Sequence, residues 1–252
     1  MHDLATRERA IAMLELGLTR RDVCRILGVG YNSTYRWQER IEAQHRSDAI
    51  VCFRCADEPV PDATAYLYLL GQYLGDGHIR NNGTTRSLGI CCCTDYPEIL
   101  AEVEWAMRTT LGASVCYRSH RDAECVMVES TTRHWLHLFP QHGPGMKHTR
   151  PIVLEPWQLE LVHQDPRPLL RGLIQSDGCR VTNWTERRVG GTTKRYTYPR
   201  YFFSNASDDI RRIFTDALDL LGIAWRQSNP RNISVARREA VAALDEFVGP
   251  KR

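Results

Sequence analysis

The sequence lacks an apolar run approaching the roughly 18 residues that cross a bilayer. Its first residues, Met-His-Asp-Leu-Ala-Thr-Arg, contain no apolar stretch of the kind found in secretory signals. We therefore expect a cytoplasmic protein with no membrane partner. With 42% hydrophobic and 25% charged residues among 252, the composition also excludes collagen-like, disordered and coiled-coil chains. One large domain or two smaller ones fit this length.

Lysine is scarce, because only Lys147, Lys194 and Lys251 among the 33 basic residues are lysine and the rest are arginine. Arginine makes planar, bidentate contacts with phosphate and guanine, although a GC-rich genome would give the same bias. Basic side chains concentrate in 179–204 and 225–238, which resemble strands, while the helix-like stretch 95–104 is acidic. A basic sheet with acidic helices behind it suits a polyanionic partner. The alternative is a set of solvated faces.

The first 44 residues predict three short helices, with Thr6 and Thr19 as N-caps of the first two and a glycine-rich turn at 28–30. This unit resembles the helix-turn-helix of recombinases and transposases, in which the third helix enters the major groove. The resemblance implies DNA contacts from Tyr31, Asn32, Ser33, Tyr35 and Arg36. A helical dimerisation or packing unit is the alternative. Residues 45–62, which include Pro59 and Pro61, predict a linker.

The remainder of the sequence contains an internal repeat, with LLGQYLGDG at 69–77 and LLRGLIQSDG at 169–178. Asp76 and Asp177 are 101 residues apart, and Lys147 and Lys251 follow a Gly-Pro at equivalent distances from them. After each motif the pattern predicts strands, an acidic helix, further strands and a last helix. We therefore expect an α+β domain over 63–252, built from repeats 63–148 and 167–252 around a pseudo-two-fold axis.

Small residues in both motifs lie four positions apart, at Gly71 and Gly75 and at Gly172 and Ser176. Residues with this spacing share one face of a helix, so the two helices can approach closely. Both aspartates would then emerge side by side, where repulsion between the carboxylates favours a divalent cation. Mg²⁺ prefers oxygen ligands and substrate phosphates, and such a site can hydrolyse phosphodiesters.

The two motifs resemble those of the LAGLIDADG homing endonucleases. The first matches at Leu69, Gly71, Asp76 and Gly77, and the second matches at Leu170, Gly172, Leu173, Ile174, Asp177 and Gly178. The resemblance implies an αββαββα fold in each half, a saddle of strands on double-stranded DNA, and a nucleoid location. It also implies metal ligation at Asp76, Asp177, Gly75 and Ser176, with Lys147 and Lys251 assisting catalysis. The implied groove-facing residues are Arg80, Arg86, Arg118, Arg187, Arg188, Lys194, Arg195, Arg226 and Arg231.

Two functions fit this resemblance. The first is site-specific cleavage of double-stranded DNA by a monomer, since one chain supplies both halves. The second is transcription regulation on the same fold without cleavage, which the additional helix-turn-helix favours. A carboxylate-triad transposase is disfavoured by the internal duplication. Intein splicing is disfavoured by the absence of splice-junction residues at Met1 and Arg252.

Nine cysteines are too few for a disulfide scaffold and are expected to be thiols or metal ligands. Cys52 and Cys55 have zinc-knuckle spacing, but a structural zinc site needs four ligands. His45 or Cys91, Cys92 and Cys93 are the candidates for the remaining ligands. The alternative for the three consecutive cysteines is that they fill a strand as small apolar groups.

Overall fold

The computed structural model describes residues 2–39, 52–81, 86–119, 124–249 and 251. The chain divides into two compact units, Met1–Val51 and Cys52–Arg252. Among the described residues, no helix is both long and apolar enough to cross a membrane.

The described residues 2–39 of the first unit form three helices, as the sequence predicts. They are α1 (Leu4–Glu15), α2 (Arg20–Leu27) and α3, which covers residues 31–39 of the described chain. Thr19 caps α2 as expected, but Asp3 rather than Thr6 caps α1, because its carboxylate accepts the Thr6 N–H at 2.8 Å. Buried Ala10, Val23 and Thr34 hold the three helices together.

The second unit alternates helices and hairpins. Its first half contains α4 (Phe53–Ala56), α5 (Ala63–Asp76), β1 (Gly77–Asn81), β2 (Arg86–Cys93), α6 (Pro97–Leu111), β3 (Val115–Ser119), β4 (Cys125–Thr131) and α7 (Trp135–Leu138). A short 3₁₀ turn (Lys147–Thr149) and α8 (Pro156–Gln164) follow. The second half contains α9 (Arg167–Asp177), β5 (Gly178–Val189), β6 (Thr192–Ser204), α10 (Asp208–Leu220), β7 (Arg226–Asn229), β8 (Asn232–Val235) and α11 (Arg238–Asp245).

The strands form two antiparallel four-stranded sheets with the same connectivity, β1-β2-β4-β3 and β5-β6-β8-β7. Each sheet follows one motif helix and precedes one short closing helix. The predicted α+β fold with a duplicated αββαββα order is therefore confirmed. Buried and more exposed side chains alternate in β1 and near the end of β6, as in a sheet that is covered on one face.

The motif helices α5 and α9 cross at Gly71 and Gly172. A Cβ built on Gly71 would lie 2.5 Å from the Leu169 carbonyl oxygen and 2.8 Å from the Leu173 nitrogen. Two helix backbones can come this close only where neither carries a side chain. A buried network next to the crossing links the helices further, since the Tyr68 hydroxyl donates to the Gln175 side chain at 2.6 Å.

The expected linker at 45–62 is only partly described. Residues 45–51 lie outside the described residues. Cys52 and Phe53 are buried in the second unit, and the Asp62 side chain caps α5 by accepting the Ala65 N–H at 2.9 Å. Residues 52–62 therefore pack as part of the second unit.

Candidate metal centre and nucleic-acid interface

Both motif helices end at an aspartate, and a strand begins at the next residue. A Cβ on Gly77 would lie 2.5 Å from the Tyr73 Cα, so only glycine can follow α5 this tightly. The two helix ends adjoin each other, because a Cβ on Gly75 would lie 2.5 Å from Ser176 Cβ and 3.3 Å from Asp177 Cγ. The small residues of the motifs therefore bring together the two helix ends that carry the aspartates.

The two carboxyl groups are electrostatically strained. Desolvation by the surrounding protein raises the pKa of Asp76 to about 6, even though part of its side chain reaches solvent, and repulsion from Asp177 adds to the shift. Desolvation also raises the pKa of Asp177. Lys251 and Lys147 oppose both shifts. Two carboxylates in this position favour a cation between them.

Lys147 and Lys251 occupy equivalent positions in the two repeats, and each caps the motif helix of its own half. Lys147 Nζ donates to the carbonyl oxygens of Tyr73, Leu74 (3.1 Å) and Gly75 (2.9 Å), and Lys251 Nζ donates to the Ser176 carbonyl at 3.3 Å. These carbonyls are the unpaired acceptors of a helix C-terminus, which attracts cations. Burial lowers the pKa of Lys147 to about 8, while attraction to Asp177 and Asp76 opposes that shift.

Two of the crevices at the helix ends are lined by the aspartates. The Asp177 crevice, of about 400 Å³, is lined by Asp177, Lys147 and Ser204 among other residues. The Asp76 crevice, of about 130 Å³, is lined by Asp76, Lys251 and Cys93 among others. Each crevice therefore combines the aspartate of one repeat with the lysine of the other, which the sequence alone does not indicate.

Asn205 is a site residue that the sequence analysis missed. Its side-chain Oδ1 accepts the Ser207 N–H at 2.8 Å, and its side-chain N–H donates to Asp177 Oδ2 at 2.6 Å. This hydrogen bond lowers the pKa of Asp177 and so opposes desolvation. Only the strand end of β6 brings Asn205 to the motif, 28 residues from the aspartate.

In the first sheet, Arg80 and Arg118 lie on the face opposite the buried side chains of Leu88 and Ile90. The buried carboxylate of Glu129 holds both of them, at 3.4 Å and 3.1 Å respectively. Glu129 is a second residue missed from the sequence. Arg86 differs from the expectation, because strand alternation places it on the same face as Leu88 and Ile90.

The second sheet separates the predicted basic residues into two groups. Arg187 and Lys194 form a directly opposed pair, and Arg226 shares their face. Arg200, which was not predicted, also lies on this face and donates to Ser234 Oγ at 2.7 Å. The expectation for Arg188 and Arg195 was wrong as to face, because strand alternation turns them to the side of buried Tyr201 and Phe203. Arg231 lies exposed in the turn between β7 and β8.

In the first unit, α3 exposes most of the predicted DNA-contacting residues. Tyr31, Asn32, Tyr35 and Arg36 are exposed and Ser33 is half-buried. The Arg20 guanidinium lies 5.4 Å from the Tyr31 ring and 5.0 Å from the Tyr35 ring, so it holds both on one face of α3.

The predicted cysteine ligands lie at two different places in the second unit. Cys52 and Cys55 lie together, with 3.1 Å between their sulfur atoms. Cys91, Cys92 and Cys93 instead line the Asp76 crevice, so they are not the missing partners of Cys52 and Cys55. His45, the other candidate, lies outside the described residues.

Residues 1–50 match the family model described as a homeodomain-like domain. No curated protein matches the sequence. Among solved structures, the LAGLIDADG meganuclease I-AabMI bound to uncleaved DNA is similar over 72% of this chain and 82% of its own, with 11% identity and a TM-score of 0.47. The homing endonuclease I-DmoI in complex with DNA and Mn is similar over 74% and 97%, with 11% identity and a TM-score of 0.47. Full-length DUF199/WhiA from Thermatoga maritima is similar over 77% and 58%, with 13% identity and a TM-score of 0.46.

Proposed function

We propose that this chain is a site-specific, metal-dependent endonuclease of double-stranded DNA, with Asp76 and Asp177 as metal ligands. The observation that carries the proposal is the meeting of two carboxylates with raised pKa values at adjoining helix ends. Here two like charges adjoin, and Lys147 and Lys251 offset the resulting pKa shifts only in part. Such an arrangement costs stability unless a ligand compensates for it, and it is therefore typical of functional sites.

The two carboxylates fit Mg²⁺, because their oxygens are the hard donors that this ion prefers. The carboxylates of Asp76 and Asp177 make up the proposed ligand set. The carbonyl oxygens of Gly75 and Ser176, which the resemblance also implied as ligands, accept hydrogen bonds from Lys147 and Lys251 in this structure. When bound, Mg²⁺ would supply an activated water and charge stabilisation at the phosphate. The Asn205 amide orients one carboxylate by its hydrogen bond to Asp177.

The two lysines supply positive charge beside the carboxylates. Their carbonyl partners at the helix ends hold each ammonium group in a fixed position. We assign Lys147 and Lys251 the role of stabilising negative charge that develops on phosphate oxygens. The pKa of Lys147, about 8, leaves most of its population protonated at neutral pH.

The exposed face of the second sheet supports DNA as the partner. Arg187 and Lys194 are cross-strand neighbours, and like charges in this position destabilise a hairpin in the absence of a polyanion. A phosphate backbone relieves this repulsion and releases counterions, which gives a salt-dependent affinity. The exposed side chains of α3 form a second candidate DNA-binding surface in the first unit.

Cleavage of a genomic-fragment library tests the proposal. The wild type and Asp76→Asn/Asp177→Asn are compared in Mg²⁺ and in Ca²⁺, with cut ends mapped by sequencing. We expect cuts at defined positions that require Mg²⁺ and both aspartates. Cleavage that persists in the double variant would contradict the assignment of the ligands.

A second function, transcription regulation without cleavage, is favoured by one observation. The three-helix unit adds a DNA-reading surface that a long-site endonuclease does not need. Sequence-specific binding by the wild type with no cleavage under any divalent cation would assign this function instead. The binding assay proceeds in Ca²⁺, so the same experiment distinguishes the two functions.

The two faces of the β5-β6 hairpin offer a matched test of DNA binding. Arg187→Ala/Lys194→Ala and Arg188→Ala/Arg195→Ala remove the same charge from neighbouring positions. We expect the first pair to weaken binding about tenfold and to reduce the slope of log affinity against log salt by about 1.8, while the second pair changes both only slightly. Equal losses from both pairs would contradict the assignment of the binding face.

A further inference from the structure

Four metal-ligating side chains meet at a place that the aspartate site does not use. They are Cys52, Cys55, His134 and His137, and their ligand atoms all lie within 4.8 Å of one another. Cys55 Sγ lies 2.9 Å from His137 Nδ1 and 3.4 Å from His134 Nδ1, and Cys52 Sγ lies 3.6 Å from His137 Nδ1. The sequence indicated only the cysteine half of this group.

Two single turns of helix present the four side chains. Cys52 caps α4, and the Cys55 N–H donates to the Cys52 carbonyl at 2.9 Å, so both sulfurs lie on one side of the turn. His134 caps α7, and the His137 N–H donates to the His134 carbonyl at 3.0 Å. Each pair has the i, i+3 spacing that places two side chains on one face.

The donor set has the composition and the size of a zinc site. We propose that Cys52, Cys55, His134 and His137 bind one structural Zn²⁺. Tetrahedral zinc with Zn–S of about 2.3 Å and Zn–N of about 2.1 Å places neighbouring donors about 3.4–3.8 Å apart. The four described separations lie between 2.9 and 3.6 Å, so small side-chain adjustments suffice. The 3.1 Å between the sulfurs is too long for a disulfide.

Four protein ligands leave zinc no open position, which is typical of a structural rather than a catalytic site. The ion would join α4, at the start of the second unit, to α7, at the end of the first repeat, across about 80 residues of sequence. Phe53 already docks this segment, with its ring 6.1 Å from the Tyr66 ring and 5.8 Å from the Trp157 ring. Zinc would strengthen this docking, because a helix of four residues buries little apolar surface by itself.

Metal analysis of the purified full chain tests the proposal. We expect one zinc per wild-type chain and its loss in Cys55→Ser and in His137→Ala, which replace the two exposed ligands. Cys179→Ser and His163→Ala are the matched controls, because both residues are exposed and outside the cluster. Asp76→Asn/Asp177→Asn should retain zinc, which separates this result from the fate of the proposed nuclease.

Spectroscopy and stability provide a second readout. Cobalt substitution of the wild type should give the visible absorption of tetrahedral thiolate-bound Co²⁺, and Cys55→Ser should lack it. Chelation should lower the wild-type Tm by about 5 °C or more, with no such effect on His137→Ala. Cys55→His keeps four donors and should retain the metal. This control separates the loss of a zinc ligand from simple misfolding of the variants.

Three results would overturn the proposal. They are less than about 0.1 zinc per folded wild-type chain, a Cys52–Cys55 disulfide in metal-free protein, or zinc that survives both ligand variants and is lost with the two aspartates.

Discussion

The two crevices beside the motif helices share a framework and differ in their lining. Each has a helix end, an aspartate from one repeat and a lysine from the other. The Asp177 crevice is the larger, at about 400 Å³ against about 130 Å³. Ser204 of the larger crevice and Cys93 of the smaller one both end the second strand of their sheet.

The residues that follow these two strands account for one electrostatic difference. Asn205 follows β6 and donates to Asp177, whereas Thr94 follows β2 and donates its hydroxyl to the Glu124 carbonyl at 3.2 Å. Both repeats thus supply an aspartate and a lysine, but they differ in the residue that follows the second strand, and only Asn205 orients an aspartate. We expect both crevices to be needed for cleavage and to respond differently to pH and metal concentration.

Adding a side chain at the crossing of α5 and α9 should disrupt both crevices at once. Gly71→Ala would place a methyl group 2.5 Å from the Leu169 carbonyl, where no flexible atom can move away. We expect a loss of about 3 kcal/mol or more in the free energy of unfolding, measured by urea denaturation. Gly143→Ala is the control, since its Cβ would meet only the Arg150 side chain at 3.3 Å. Equal stability of the two variants would contradict the close crossing.

Single replacements at the two aspartates test whether the crevices are equivalent. Asp76→Asn and Asp177→Asn should each reduce the rate of double-strand cleavage by about 100-fold or more, because each removes one charge from a shared cation site. Binding in Ca²⁺ should change less than about threefold, since neither side chain holds the DNA-facing arginines. Gel assays that separate nicked from linear DNA give both rates. A variant that cuts at the wild-type rate would make its crevice dispensable.

Removing the orienting amide should affect only one crevice. Asn205→Ala deletes the hydrogen bond that lowers the pKa of Asp177, so that pKa rises and protons compete more strongly with Mg²⁺ as the pH falls. We expect about a fivefold higher Mg²⁺ requirement at pH 6.5 and a smaller change at pH 8.5. Thr94→Ala serves as the counterpart from the other repeat and should leave the metal dependence unchanged. A pH-independent effect of Asn205→Ala would assign Asn205 a purely structural role.

The sequence predicted the repeated skeleton well and the site only in part. The motif spacing predicted Asp76, Asp177, Lys147 and Lys251 as candidates because each recurs with its own helix or closing turn. Residues brought in by strand pairing were missed, as Glu129 and Asn205 illustrate. The positions of basic residues in the sequence do not reveal how strands pair. Arg188 and Arg195 were therefore grouped with Arg187 and Lys194, which lie on the opposite face of the hairpin.

A final comparison concerns the stability of the metal-free protein, in EDTA, and the opposite contributions of Asp76 and Asp245. Folding raises the pKa of Asp76 from 3.8 to about 6, so ionised Asp76 destabilises the fold above pH 6 and the cost disappears as the pH falls towards 3.8. Asp76→Asn should therefore raise the Tm by about 3 °C at pH 8 and leave it almost unchanged at pH 4.

Asp245 has the opposite sign, because Arg180 and the Tyr201 hydroxyl hold its pKa below 3.8. Its contribution is present above that value and is lost only as the pH falls through the lowered pKa, so Asp245→Asn should reduce the Tm at pH 8. Tm changes of opposite sign at pH 8 would show that the Asp245 carboxylate stabilises the fold and that the Asp76 carboxylate destabilises it. Saturating Mg²⁺ should then raise the Tm of the wild type but not that of Asp76→Asn, since only the wild type has the full ligand set.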